Sequence, residues 1–199
     1  MTQHDLILTE TPPSRSDALK NRALLLETAR RLFAEQGVEA VPMSAIAEAA
    51  GVGKGTLYRH FPNKTTLCEA LLDDQQRDLQ DRTLQRLRTH LDARENLDWF
   101  MREVLLFIVN NQPFLEVGVS ETVMDSLELP AHMWWRQTIR GLLGQMQLDG
   151  DLEFLSDTLY LLLDVRSICY LRHSRGYDVG TIGDNLIRLA HTFIPETGL

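Results

Sequence analysis

Between Gly37 and Pro62 the chain has room for two short helices and little else. The first has Pro42 in its opening turn, an apolar face of Met43, Ile46, Ala47 and Ala50, and a stop at Gly51. Proline suits a first helical turn, and glycine ends a helix by taking the left-handed conformation that other residues avoid. The second restarts at Leu57, Tyr58 and Phe61 and is closed by Pro62, with Asn63 placed to cap the next helix. Two short helices joined by a glycine-containing turn are the signature of a helix-turn-helix. Upstream, "SDALKNRALLLETARRLFAEQG" sets Leu25, Ala29 and Leu32 or Phe33 at helical spacing between a Ser-Asp cap and Gly37.

The rest reads as longer helices at about 64–91, 96–111, 113–127, 130–147, 152–173 and 179–194. They are broken at Asn-Gln-Pro (111 to 113), Leu-Pro (129 to 130), Asp-Gly-Asp (149 to 151) and Arg-Gly-Tyr-Asp (175 to 178), and strand alternation occurs nowhere. The expected fold is all-α with about nine helices. A small module at 15–64 and a larger one at 65–199 fit a chain of 199 residues, 44% of them apolar. Residues 1–14 have no basic leader, carry "TPP", and read as a disordered tail. No run approaches the ~18 apolar residues of a spanning helix, so no membrane is expected. Cys68 and Cys169 lie far apart without a pairing or zinc spacing, which fits a reducing, cytoplasmic setting.

Charge is unevenly spread along a chain whose net charge is −8. From Arg15 to Lys64, eight Lys or Arg stand against five acids; beyond Lys64, twelve Arg face twenty-one acids. All three lysines, Lys20, Lys54 and Lys64, fall in the first third. Such a split suggests one module for a polyanion and another kept off it.

A helix laid in the DNA major groove needs small residues for close approach, donors for base edges and flanking groups for phosphates. "GVGKGTLYRHFPNK", Gly51 to Lys64, supplies all three. Gly53 and Gly55 leave room, at a cost in helix stability of ~1 kcal/mol each relative to Ala. Lys54 and Arg59 can reach guanine acceptors, and Thr56, Tyr58, His60 and Lys64 can reach phosphate oxygens. Leu57 and Phe61 read as core.

With the preceding "LLLETARRLFAEQG", the segment "AIAEAAGVGKGTLYRHFPNKTTL" resembles the DNA-binding domain of the tetracycline-repressor (TetR) family over about residues 16 to 68. The resemblance implies base contacts from Lys54, Gly55 and Arg59 and backbone contacts from Thr56, Tyr58, His60 and Lys64. Where the family usually has Thr or Ser before its second helix, this chain has Val41 and Pro42; Ser44 is the substitute phosphate contact. The family's last two helices usually form a four-helix interface with a second subunit. Here the apolar positions Leu159, Leu162, Ile182, Leu186, Leu189 and Phe193 are the matching candidates for a homodimer interface.

The larger module has no Gly-x-Ser-x-Gly, His-Glu-x-x-His, Walker loop or dinucleotide fingerprint, and its histidines lack metal spacing. No enzyme, cofactor or metal is expected. Trp99, Phe107, Met124, Trp134 and Trp135 read most simply as core, yet an aromatic and Met-lined cavity between helices is also a normal ligand site. Glu103 and Arg166 are polar candidates for orienting a guest there. The expected function is a DNA-binding transcriptional regulator, a homodimeric repressor released from a palindromic double-stranded operator by a small, largely apolar effector. The alternative is an effector-independent adaptor or nucleoid-type factor of the same fold.

Overall fold

The computed structural model describes residues 15–117, 130–146, 148 and 150–194. The tail expected at 1–14 and the candidate Met124 lie outside them. All regular structure among the described residues is helical, and the chain divides between Lys64 and Thr65 into two compact units.

The first unit holds α1 (Arg15–Gln36), α2 (Met43–Ala49) and α3 (Lys54–His60). Its core is small and continuous: Leu25, Ala29 and Phe33 from α1, Val38 and Val41 from the connection, Ile46 and Ala47 from α2, then Leu57 and Phe61. Gly51 ends α2 at φ +67°, a conformation that strains any side chain. Its N–H donates to the Glu48 carbonyl at 3.0 Å, and the Val52 N–H to that of Ala47 at 3.0 Å. This pair of bonds satisfies carbonyls that the helix end would otherwise strand. At the other end of α2, Pro42 occupies the cap position and no side chain bonds the free N–H groups.

α4 (Lys64–Thr89) begins at the boundary, and α5 (Ala93–Val117), α6 (Pro130–Gln145), α7 (Leu152–Leu161), α8 (Val165–Cys169) and α9 (Val179–Phe193) come after it. α5 is central and packs on α6, α8 and α9. Leu97, Phe100, Met101, Val104, Leu105 and Ile108 of α5 are all buried, the stripe that a 3.6-residue period gives a helix covered on more than one side. None of the helices among the described residues is long and apolar enough to cross a membrane.

Three helix boundaries differ from those expected of the sequence. α5 starts at Ala93, because the Asp92 carboxylate accepts from the Glu95 N–H at 2.8 Å and caps it. The same helix runs through Pro113 instead of stopping there. Proline removes one main-chain bond, but buried Asn111 before it and Phe114 and Leu115 after it, both packed on the core, hold the helix together. The continuous helix expected at 152–173 breaks at Leu162–Asp164, where the Asp164 carboxylate caps α8 through the Arg166 and Ser167 N–H groups. Past α8 the winding loosens into a π-helical turn, Tyr170–Ser174.

A partly buried polar pair joins α6 to α7. Tyr160 O–H bonds His132 Nδ1, with the imidazole against the rings of Trp135 and Tyr160. Burial lowers the His132 pKa, partly countered by Asp164, and burial, then Asp164, raises that of Tyr160. Because folding depresses the His132 pKa, the stability it contributes is present above its ordinary value of ~6.5 and is lost as pH falls below it. Wild-type protein should therefore lose melting temperature more steeply than His132→Asn between about pH 7 and about pH 5, since Asn keeps an acceptor for Tyr160 but does not titrate. Parallel slopes in the two melting series would contradict this.

Candidate nucleic-acid interface

α3 divides its residues cleanly between core and surface. Leu57 points inward and is fully buried, while Lys54, Gly55, Tyr58 and Arg59 are exposed and Thr56 and His60 half-buried. Tyr58 is 47% exposed, so its ring is not part of the core. Lys54 and Arg59 pair with no carboxylate among the described residues, and no acid lies on α3 itself. Their charge is directed outward without an internal partner.

The two glycines of this segment do nothing for the protein's own packing. A Cβ added at Gly53 or Gly55 would meet no atom within 4 Å, and neither has a positive φ; Gly53, at φ −63° and ψ 143°, sits where any residue can. Gly51, by contrast, is required by its backbone. The open space above Gly53 and Gly55 is on the outside of α3.

His60 and Lys64 are tied into the unit more closely than their sequence positions suggest. Nε2 of His60 is buried without a hydrogen-bond partner, and burial, then Arg59 and Arg22, lowers its pKa. The Arg22 guanidinium of α1 lies 5.5 Å from the centre of the Phe61 ring. Lys64 Nζ donates to the Val38 carbonyl at 2.8 Å and to that of Glu39 at 3.2 Å, which leaves one of its three protons for an outside acceptor. Sequence reasoning missed this tie because it joins positions 26 residues apart. Lys64→Met should destabilise the protein by about 1.5–3 kcal/mol, the range for hydrogen bonds to a charged group; an unchanged urea midpoint would show the tie to be idle. Ser44 is half-buried in the first turn of α2.

The effector candidates do not converge on one place. Phe107 and Trp135 are buried against each other edge to face, and Trp134 meets Phe100 in the same way, both at 5.5 Å between centroids. Trp99 lies under the Arg86 guanidinium, 5.1 Å away. Glu103 pairs with Arg82, and Arg166 with Asp164 at 3.2 Å. A cleft of about 260 Å³ lies elsewhere, along α6 and α7, lined by Met133, Arg136, Gln137, Arg140, Glu153, Ser156 and Asp157. Its arginines already face carboxylates, Arg136 with Asp157 at 2.7 Å and Arg140 with Glu153.

The interface candidates also divide. Leu159, Ile182 and Leu186 belong to the core of their own unit, and Leu162 packs on its edge. Leu189 and Phe193, one helical turn apart on α9, are 41% and 51% exposed.

Residues 25–71 match the family model for bacterial regulatory proteins of the tetR family. An HTH-type transcriptional regulator of Staphylococcus aureus (strain bovine RF122 / ET3-1) is 49% identical over 65 residues, 33% of this chain and 34% of that protein. The match thus spans about a third of the length of the curated relatives. Among solved structures, Thermus thermophilus FadR, a TetR family transcriptional repressor in complex with lauroyl-CoA, aligns with a TM-score of 0.70 at 19% identity, over 89% of this chain and 97% of that one. Bacillus subtilis FadR in complex with stearoyl-CoA aligns at 0.64 and 17%, over 87% and 99%. A protein from Saccharomonospora viridis in complex with choline aligns at 0.62 and 24%, over 89% and 100%. At these identities the structural likeness is one of fold.

Proposed function

The chain belongs to the tetR family of bacterial regulatory proteins, and from that premise we propose that it is a homodimeric cytoplasmic repressor of a palindromic operator. The observation that carries this reading is the outer side of α3, where Lys54 and Arg59 stand without carboxylate partners beside two glycines that the protein's own packing does not use. Lys54, Gly55 and Arg59 read bases; Ser44, Thr56, Tyr58, His60 and the remaining proton of Lys64 hold phosphates. Two copies related by a two-fold axis set their recognition helices about 34–36 Å apart, one DNA turn. Leu189 and Phe193 are the exposed apolar residues offered to the second copy, with Leu159, Ile182 and Leu186 supporting them from within.

Selection from random DNA, followed by titration of the selected site, tests this. A palindrome should emerge and be bound by a dimer, and affinity should fall by about 10³-fold or more between ~50 and ~200 mM salt if six or more phosphates are contacted. A protein that is monomeric at micromolar concentration, or that enriches no palindrome at low salt, is not this regulator.

The effector is a small, largely apolar molecule taken up in the second unit. It lowers operator affinity by favouring a conformation in which the recognition helices are wrongly spaced, and only its preference between conformations does work. The acyl chains of the lauroyl-CoA and stearoyl-CoA bound by proteins of like fold support a guest with a large apolar part. In a panel of both acyl-CoAs and choline, the acyl-CoAs should raise the melting temperature and release operator, and choline should do neither; the reverse ranking would overturn the apolar assignment.

A further inference from the structure

We propose that His60 meets an operator phosphate as a neutral imidazole, donating one hydrogen bond from Nδ1 while Nε2 stays unprotonated and turned into the protein. The proposal rests on the DNA-binding reading above and assigns the atom, tautomer and charge of one of its contacts.

The two ring nitrogens are placed differently. Nε2 is sealed from solvent with no partner; Nδ1 makes no hydrogen bond to the described residues and is not sealed with it. A sealed N–H without an acceptor is among the rarest features of folded proteins, rarer than a sealed lone pair. The ring proton therefore belongs on Nδ1. An imidazolium would need a second N–H, and it would have to be at Nε2. Charge acts in the same direction. Burial lowers the pKa of the ring, and the charges of Arg59 on the same helix and Arg22 on α1 lower it further.

A neutral donor leaves a signature that a cation does not. Each cationic contact to a phosphate adds ~0.9 to the salt slope by releasing a counterion, and a neutral hydrogen bond adds nothing. His60 then fixes the register of the backbone on α3 and contributes affinity that neither salt nor mild acid alters.

Operator titrations of wild type, His60→Asn, His60→Gln and His60→Ala, each over a salt series and at two pH values, test this. The Asn side-chain nitrogen reaches the Nδ1 position and that of Gln reaches Nε2. The Ala and Gln proteins should bind ~5- to ~150-fold more weakly, one net hydrogen bond lost in each of two half-sites. The Asn protein should stay within about threefold of wild type, a margin smaller than one net hydrogen bond, and all four should share one salt slope. Wild-type affinity should change by less than about threefold between about pH 7.5 and about pH 6, across the ordinary His range. A salt slope lowered by ~1 per half-site in the variants, or wild-type affinity rising tenfold with acid, would make the contact a cation and overturn the assignment. So would rescue by Gln in place of Asn, or full binding by Ala. If the Ala protein is unfolded by circular dichroism, the Asn and Gln pair and the wild-type titrations still decide. Failure of wild type to bind any operator is a different result, and it rejects the DNA-binding reading instead.

Discussion

Arg59→Ala is expected to cost about 1–3 kcal/mol of operator affinity per half-site, the range for losing a bidentate base contact. A two-fold complex loses the contact twice, so affinity should fall by about 2–6 kcal/mol, or ~30- to ~10⁴-fold. Stability should hardly change, because Arg59 is exposed and pairs with no acid among the described residues; surface substitutions of that kind usually stay within about 0.5 kcal/mol. The loss should also be selective. Operators altered at one base pair per half-site should be bound about as well as the parent by the variant, whereas wild type discriminates between them. Site selection with both proteins measures this directly. Were affinity to fall equally for every sequence, with the salt slope reduced by ~1 per half-site, Arg59 would hold a phosphate and Lys54 alone would be left to read bases.

The local parts of this arrangement were legible in the sequence, and the long-range parts were not. Gly37 and Gly51 announced two helix ends, and both adopt positive φ, 82° and 67°, because the left-handed stop is a property of one residue and its neighbours. Leu57 and Phe61 could be read as core from period alone, and both are buried. Pro113 misled for the opposite reason. Its effect on the backbone is local, but whether a helix survives depends on what its flanks pack against, and Phe114 and Leu115 rest on a core to which every helix from α4 to α9 contributes. Asp92 and Asp164 were legible in principle, since an aspartate before an apolar helical run is a favoured cap. Asp164 did not outweigh the continuous apolar period around it, and Asp92 fell in the expected gap between helices at 91 and 96. Nothing in the sequence distinguished Leu159 and Ile182 from Leu189 and Phe193, because all four lie on apolar stripes and only the packed unit decides which are left outside. The polarity of His60 and the carbonyl partners of Lys64 depend on α1 and on the connection after it, and no window centred on α3 contains both.

Gly55→Leu should move stability and function in opposite directions. Gly55 is exposed within α3, and a Cβ there would meet nothing within 4 Å, so a side chain can leave the backbone there freely and relieve the entropic penalty of glycine. The gain should be about 0.5–1 kcal/mol, seen as a raised urea midpoint. Against DNA the same side chain occupies the space through which the helix approaches the groove. Overfilling a close-packed contact costs about 1–3 kcal/mol, twice in a two-fold complex, so operator affinity should drop at least ~30-fold. Gly55→Ala places one methyl group there and should fall between the two on both measurements. A destabilised leucine variant would mean that α3 itself depends on the glycine, and the open space above it would then say nothing about DNA. A stabilised variant that still bound operator like wild type would be more damaging, because it would put the first turn of α3 outside the groove and leave Lys54 and Arg59 without access to bases. Stability gained and binding lost in one protein is the combination expected of a glycine kept for the molecule it touches.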